Sequence, residues 1–256
     1  MLLKSNHFTI VILSYNNESW ISKNLKSAIS QNYDNYDIVF VDDASTDNTR
    51  NIAREIEKDW DHKKGLFTLR CNPYNLRALP NLYSSVDCSK LGSIIVALDG
   101  DDWLANKNVL NKLNKIYQDD DVWITAGSYL ESIGGRVVTP KIPPGYWDGN
   151  IRKKHWSFSH LRTFRRELFM SIKKEDFLDH DGDFFKFTWD RVIMYPMIEM
   201  AGEDHFKPVN QVMYIYNREN PLAVDKLHRE EQLRIESVLM VKKPYEKLKE
   251  LKIEDI

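Results

Sequence analysis

The chain has 256 residues, of which 42% are hydrophobic and 12% aromatic, so it can bury the core of one large domain or of two small ones. Lys and Arg total 36 against 38 for Asp and Glu, and the net charge of -2 excludes a general basic field for nucleic acid or anionic lipid. The two cysteines have no CxxC or zinc-site spacing, and no apolar run approaches the ~18 residues of a membrane span, so we expect a soluble, cytoplasmic protein.

From residue 8 to about residue 126, short apolar runs alternate with amphipathic stretches, which is the pattern of a parallel sheet covered by helices. The predicted strands are residues 8–13, 37–41, 66–70, 93–98 and 122–126. Helices are predicted after Asn17, Ser45 and Asn106, because apolar residues recur there at helical spacing. We expect the stripes of apolar residues on these helices to pack in the core.

The rhythm changes beyond Gly127, where a segment rich in Gly and Pro is followed by a predicted helical stretch over HLRTFRRELFMSI, residues 160–172. A helix is predicted from about Asp190 to Ala201, kinked at Pro196 and ending at Gly202, and QVMYIYN supplies one more strand. The tail from about residue 226 is predicted to be an amphipathic helix. We therefore distinguish residues 1–126, residues 127–225 of the same domain, and the tail 226–256.

Polar residues follow three of the predicted strands, at the end where ligands bind in sheets of this kind. They are Ser14-Tyr15-Asn16, Asp42-Asp43 and Asp99-Gly100-Asp101-Asp102. A single Asp in such a place usually caps a helix or begins a turn. Three carboxylates at the end of one buried strand favour a functional site.

Asp99 and Asp101 are too close for both to stay ionised in a partly dry crevice, so either one of them is protonated or a cation lies between them. Oxygen ligands favour Mg²⁺ or Mn²⁺, and Mg²⁺ is usually held by one or two carboxylates together with substrate phosphates. The first turn, LSYNNES, has no glycine for a GxGxxG motif, and GxxxxGK[ST] is absent. If the fold binds a nucleotide, its diphosphate must be neutralised by a metal and a few cationic side chains.

The segments SYNNESWISKNLKSAISQNYDNYDIVFVDDASTDNT and LDGDDWL resemble the nucleotide-binding half of the GT-A glycosyltransferases of family two, an inverting group that uses nucleotide-activated sugars. The resemblance covers about the first 125 residues and continues more loosely through FRRELF, WDRVIMYPMIEMAGE and YIYNRENP. It implies an α/β fold of GT-A type, a Rossmann-like, mostly parallel sheet flanked by helices with an elaborated C-terminal acceptor lobe. Residues 1–126 would then bind the nucleotide-sugar, and residues 127–225 would bind the acceptor and supply the catalytic base.

For the nucleotide, the resemblance implies that Tyr15 stacks on the base, normally uracil, with Ser14 and Asn16 in the same site. Asp43 would accept a hydrogen bond from the ring NH, while Asp42 would orient the loop. Arg77 would reach the base or the diphosphate, although an exposed arginine at a helix start explains it equally well.

For the metal and the sugar, the resemblance matches Asp99 and Asp101 to the DxD motif, with Asp101 in direct contact with the ion and Asp99 nearer the ribose or a metal-bound water. His228 is a candidate further ligand. Asp102 and Trp189 would line the donor-sugar pocket; a tryptophan packed in the second lobe is the alternative for Trp189.

An acceptor hydroxyl needs a base that takes its proton, and family members place this base at the start of a helix in the second half, often as Glu-Asp. The matching segment is Thr188-Trp189-Asp190, in which the preceding Glu is missing. We assign the base to Asp190, with an ordinary helix cap as the alternative.

These assignments predict a Mn²⁺- or Mg²⁺-dependent inverting glycosyltransferase that moves a hexosyl or N-acetylhexosaminyl group from a UDP-sugar to a hydroxyl of a glycan or protein-linked acceptor. Two alternatives stay open. One is a nucleotidyltransferase acting on a sugar phosphate, and the other is a catalytically silent UDP-sugar-binding scaffold. The amphipathic tail is compatible with docking on its own domain or with an oligomer.

Overall fold

The structure, a computed structural model, describes residues 3–221 and 224–252. Its strands are β1 (Phe8–Ser14), β2 (Tyr36–Asp42), β3 (Phe67–Cys71), β4 (Ile94–Asp99), β5 (Trp103–Leu104), β6 (Ile124–Glu131), β7 (Val137–Val138), β8 (Arg162–Arg165) and β9 (Phe206–Tyr216). Its α-helices are α1 (Ile21–Ile29), α2 (Thr49–Glu57), α3 (Ala78–Asp87), α4 (Val109–Ile116), α5 (Arg166–Met170), α6 (Trp189–His205), α7 (Val224–Leu227) and α8 (Arg229–Val241). Short 3-10 helices span Ile151–Lys153 and Lys174–Phe177.

The strands form one mixed sheet in the order β3-β2-β1-β4-β8-β6-β9-β5, with β7 paired to β6. β1 pairs in parallel with β2 and β4, and β2 pairs in parallel with β3. β8 runs antiparallel between β4 and β6, β6 is parallel to β9, and β5 is antiparallel to β9. The carboxyl ends of β1, β2 and β4 consequently meet at one edge of the sheet.

The central strands are apolar on both faces because helices cover both sides of the sheet. Along β1, Ile10 and Ile12 face one core, shared with α1, α2 and α4, while Val11 faces the other core, shared with α3, α5 and α6. This alternation confirms the prediction of a sheet covered by helices. All five strands predicted in the first half are present; four lie within one residue of the predicted bounds, while β6 begins two residues later and ends five residues later than predicted.

The predicted helix over residues 160–172 is wrong in its first part. Arg162–Arg165 forms β8, and only Arg166–Met170 is helical. Thr163 explains the strand, because its hydroxyl meets those of Tyr117 and Thr125 on the face of the sheet opposite the α6 side. The spacing of apolar residues within one segment does not report partners that are this distant in the chain.

The predicted helix at Asp190 is present as α6, but it continues to His205 and its backbone leaves helical geometry at Gly202 (φ 61°) rather than at Pro196. The division at residue 126 falls inside β6, so one sheet carries both halves of the chain. Within the described ranges, no helix is both long and apolar enough to cross a membrane.

Candidate active site

The acidic turn, residues 99–102, is held against the rest of the sheet by its backbone. Gly100 donates its N–H to the Leu13 carbonyl at 2.9 Å. A Cβ atom at Gly100 would lie 2.6 Å from that same oxygen and 2.7 Å from the Ser14 Cβ, so only glycine permits this approach. From α1, the buried Asn24 amide donates to the carbonyls of Asp99 and Asp102, each at 2.8 Å.

Asp102 ties the acidic turn to the end of β9. It is 1% exposed, and its carboxylate accepts from the Tyr214 hydroxyl at 2.6 Å and from the Asn217 backbone N–H at 2.6 Å. Burial, together with the charges of Asp101 and Asp99, raises the pKa of Asp102 well above its usual value. Burial and the neighbouring Asp102 also raise the pKa of Tyr214, so the phenol stays a donor at neutral pH.

Asp99 faces a histidine that the sequence analysis did not identify. His160 Nε2 lies 3.3 Å from Asp99 Oδ2, and its ring stacks on Tyr214 at 4.6 Å. Burial acts to raise the pKa of Asp99, but the hydrogen bond and charge of His160, with the charge of Arg162, outweigh it and lower that pKa. Burial and Arg162 lower the pKa of His160, which leaves its imidazole neutral and able to act as a metal ligand.

The side chains at the acidic turn fit a divalent cation. Ligand atoms of Asp99, Asp102 and His160 all lie within 4.8 Å of one another. Carboxylate oxygens together with an imidazole nitrogen suit Mn²⁺. Mg²⁺ would bind through one or two of the carboxylates, with its other ligands coming from water and phosphate. A cation would also relieve the charge crowding that raises the pKa of Asp102. Asp101 is partly exposed beside this group, and its Oδ2 accepts from the Asn220 amide at 2.7 Å.

The predicted base-binding residues lie at the ends of β1 and β2. Tyr15 is 44% exposed, which leaves its ring accessible for stacking, while Ser14 is buried and accepts from the Asn17 amide. Asn16 has a left-handed backbone (φ 52°) and its side-chain oxygen accepts the Thr46 N–H at 2.8 Å. This bond joins the loop after β1 to the loop after β2, as expected for a shared site.

Asp43 organises the loop before α3. Its carboxylate accepts from the backbone N–H groups of Leu76 and Arg77 at 2.8 Å and from the Asn72 amide at 2.7 Å. The Arg77 backbone is left-handed (φ 73°), and its guanidinium lies over the Phe187 ring at 5.4 Å. The contacts of Asp43 and Arg77 with a nucleotide stay predictions.

Asp42, which we expected to orient the loop, is fully buried, and its carboxylate pairs with Arg50 on α2, with Oδ2 3.0 Å from Nη2. Its backbone carbonyl accepts the Asn72 N–H at 2.9 Å, and its role in orienting the loop stays a prediction.

The predicted catalytic base lies at the start of α6. Thr188 holds the cap position with a left-handed backbone (φ 59°), so Asp190 belongs to the first helical turn and is not the cap. Its Oδ2 accepts from Arg162 Nη2 at 2.9 Å. The same guanidinium lies over the ring of Trp189 at 5.4 Å.

His228 does not join the acidic turn in the described structure. Its ring stacks on Phe187 at 4.5 Å, and its Nδ1 lies 3.5 Å from Glu231 Oε1. His160, two residues before β8, is the histidine grouped with Asp99 and Asp102 there. No local signal in the sequence points to His160, because a single histidine in HLRTFRRELF has no ligand spacing. Tyr214 and Asn217 were likewise predicted only as parts of a strand.

The family model for glycosyl transferase family 2 matches residues 9–182. An uncharacterized glycosyltransferase of Haemophilus influenzae is 30% identical over 177 residues, covering 66% of this chain and 68% of that protein. Other curated relatives are matched over 17% to 51% of their own length.

Two solved structures share the fold. S. aureus TarS in complex with UDP superimposes with a TM-score of 0.62 at 15% identity, covering 91% of this chain and 65% of that one. Glucosyl-3-phosphoglycerate synthase from Mycobacterium tuberculosis, in complex with Mn²⁺, UDP and glucosyl-3-phosphoglycerate, has a TM-score of 0.60 at 18% identity, covering 91% and 79%. These likenesses confirm the predicted α/β fold of GT-A type. Since the family model spans most of the chain and includes the acidic turn, this chain belongs to glycosyl transferase family 2.

Proposed function

We propose that the protein is a metal-dependent inverting glycosyltransferase that moves a sugar from a UDP-sugar to an acceptor hydroxyl. The observation that carries this proposal is the acidic turn, which lies beside Tyr15 and Asp43 at the carboxyl edge of the sheet in a chain of this family. The two structural neighbours with bound UDP, one of them also with Mn²⁺, support the choice of donor and ion.

In this proposal Tyr15 stacks on uracil, and the loop that Asp43 braces closes the base site. Asp99 and His160, whose ligand atoms lie close together with those of Asp102, hold the ion. Asp101 joins them as the second carboxylate of the DxD motif. When bound, a divalent cation stabilises the negative charge that develops on the departing diphosphate. Neutral His160 is suited to this place because it offers a lone pair without adding positive charge.

Asp190 takes the proton from the acceptor hydroxyl, whose oxygen then attacks the anomeric carbon from the face opposite the diphosphate. The Arg162 guanidinium, whose Nη2 lies 2.9 Å from Asp190 Oδ2, orients this carboxylate. Attack from the opposite face inverts the configuration of the anomeric carbon. A base of this kind contributes on the order of 10² to 10⁴ in rate.

The experiment is a screen of UDP release across UDP-hexoses and UDP-N-acetylhexosamines, with Mn²⁺, with Mg²⁺ and with EDTA. We expect turnover of one donor that EDTA abolishes and Mn²⁺ restores. Asp101→Ala should lose this turnover, whereas Asp181→Ala, an exposed carboxylate in the loop before α6, should keep it. Retained activity in the Asp101 variant would contradict the proposal.

The same preparation distinguishes the alternatives. Consumption of UTP or CTP with a sugar phosphate would indicate a nucleotidyltransferase. UDP-sugar binding in calorimetry without any hydrolysis, even slow, would indicate a binding scaffold. Proton NMR of the product's anomeric signal tests inversion directly.

A further inference from the structure

Arg162 is the first residue of β8, where its backbone lies between Ala97 of β4 and Ala126 of β6. Its side chain is 4% exposed. One of its terminal nitrogens, Nη2, donates to Asp190 Oδ2 at 2.9 Å, and the plane of the guanidinium lies over the ring of Trp189. An arginine this deeply buried is costly to desolvate, so the pair calls for an explanation other than stability.

The guanidinium binds Asp190 directly and acts on the other end of the proposed site through its charge. Its charge acts on Asp99 and lowers the pKa of that carboxyl, as well as the pKa of His160. Among the described residues, Asp190 is the only carboxylate to which Arg162 donates a hydrogen bond. The buried Nε of Arg162 has no hydrogen-bond partner within residues 3–221 and 224–252. An ionised arginine forms its most directional bonds with a carboxylate. The geometry therefore assigns Arg162 to the carboxylate of Asp190.

We propose that Arg162 is a positioning residue for the catalytic base: it holds the Asp190 carboxylate in one orientation by engaging Oδ2, which leaves Oδ1 to receive the acceptor proton. This inference rests on the proposed function of Asp190. In the step concerned, the proton passes from the acceptor hydroxyl to Oδ1, the hydroxyl oxygen bonds to the anomeric carbon, and the bond from that carbon to the diphosphate breaks, its electron pair leaving with UDP.

A competing role for Arg162 is direct binding of the donor diphosphate. The two roles differ in what they change. A positioning residue affects the rate of transfer with donor bound, whereas a diphosphate ligand affects donor affinity. A purely structural arginine would affect stability and would act independently of Asp190.

The test compares Arg162→Met and Arg162→Lys with Asp190→Asn and with the double variant Arg162→Met/Asp190→Asn. We expect Arg162→Met to lower kcat by about 10- to 100-fold, while the Kd of UDP with Mn²⁺, from calorimetry, stays within about twofold. Arg162→Lys should recover part of the lost rate, because it restores the charge with one donor. In the Asp190→Asn background, Arg162→Met should lower kcat little further, since the effects of residues that act as a unit are not additive.

Arg165→Met is the matched control. Arg165 lies on the same strand, but its guanidinium binds the Val122 carbonyl at the other end of β8, so its loss should leave kcat unchanged. Thermal unfolding shows whether each variant is folded. If Arg162→Met does not fold, Arg162→Lys replaces it, and its kcat is compared alone and in the Asp190→Asn background.

Three results would overturn the inference: unchanged kcat in Arg162→Met, UDP affinity that falls in step with the rate, or full additivity with Asp190→Asn. Full activity of Asp190→Asn alone would overturn both this inference and the assignment of the base. A wild-type protein that turns over no UDP-sugar would instead overturn the proposed function.

Discussion

Gly100 separates the two carboxylates of the DxD motif because the chain at that point passes within hydrogen-bonding distance of β1. Glycine is required here because a side chain would collide with Leu13 and Ser14, and not because of the backbone angle φ. The glycine therefore fixes where the acidic turn begins, and the carboxylates on each side of it depend on that position.

Gly100→Ala should lower the free energy of unfolding by about 1–3 kcal/mol, because an added methyl group meets backbone that cannot give way. It should also lower UDP-sugar turnover by moving Asp99 and Asp101. Urea unfolding and the UDP-release assay measure the two effects. Gly134→Ala is the control: nothing lies within 4 Å of its Cβ position, so it carries only the backbone strain of φ +74° and should stay active. A fully active Gly100→Ala would contradict this account of the turn.

Elements other than β4 hold the acidic turn in place. α1 supplies Asn24, and β9 with the residues after it supplies Tyr214, Asn217 and Asn220. β8 supplies His160, just before its first residue, and Arg162. The site is therefore built by elements on both sides of the acidic turn, and loosening any one of them should affect catalysis.

Asn24→Ala removes one buried and one partly buried hydrogen bond to the turn and leaves two carbonyl groups without this donor. We expect a loss of about 1–3 kcal/mol in the free energy of unfolding and a fall in kcat/KM for the donor. Chemical denaturation and steady-state kinetics measure them. Asn51→Ala on α2 is the control, because Asn51 is exposed and its side chain, among the residues that the structure describes, bonds to Asn48 alone. If Asn24→Ala and Asn51→Ala were equally stable, the hydrogen bonds of Asn24 would not stabilise the acidic turn.

The segment after α8 is attached through Asp176, which pairs with Lys242 at 3.0 Å and accepts from the Tyr245 hydroxyl. Burial acts to raise the pKa of Asp176, but the bonds from Tyr245 and Lys242 outweigh it and leave that pKa below the usual 3.8. A carboxyl group with a lowered pKa stabilises the folded state above its unfolded pKa and loses this contribution as pH falls through its folded pKa.

Asp176→Asn should therefore destabilise the protein by about 1–2 kcal/mol at pH 7, and the difference from wild type should shrink below about pH 4. Unfolding curves at pH 7, 5 and 3.5 test this. Glu55→Gln, in an exposed pair on α2, should change little at any of these values. A difference for Asp176→Asn that grows as pH falls would have the wrong sign.

At the scale of the molecule, one buried ion pair joins four parts of the second half. Arg152 binds Glu199 of α6 through two bonds, at 2.6 and 2.7 Å, and donates to the Leu239 carbonyl of α8. Glu199 also accepts the backbone N–H of Tyr245. The segment before β8, α6, α8 and the C-terminal segment are thereby held to one another around the helix that carries Asp190.

Arg152→Met should cost about 3–5 kcal/mol, because it leaves the Glu199 carboxylate buried and unpaired. The double variant Arg152→Met/Glu199→Leu should recover more than half of this loss, since neither charge then remains. Denaturation with urea measures both. A double variant less stable than the single one would contradict the view that the unpaired charge dominates the cost.

The sequence by itself determined the parallel core, the two layers of helices, and the positions of Tyr15, Asp43, Asp99 and Asp101 at one edge of the sheet. Each of these follows from local periodicity and from the rule that parallel strands end together. The motifs also sufficed to predict the family and the helix that begins at Asp190.

Only the tertiary structure decided which side chains complete the site. Tyr214 meets Asp99 and Asp102 across 115 and 112 residues of chain. His160 reaches Asp99 from the residues just before β8, in a segment whose apolar spacing predicted a helix. It also decided that Arg162 pairs with Asp190 and that His228 stacks on Phe187. The contacts of Tyr214, His160 and Arg162 depend on how the antiparallel strand β8 and the strand β9 enter the sheet, and no spacing within a single segment encodes that placement.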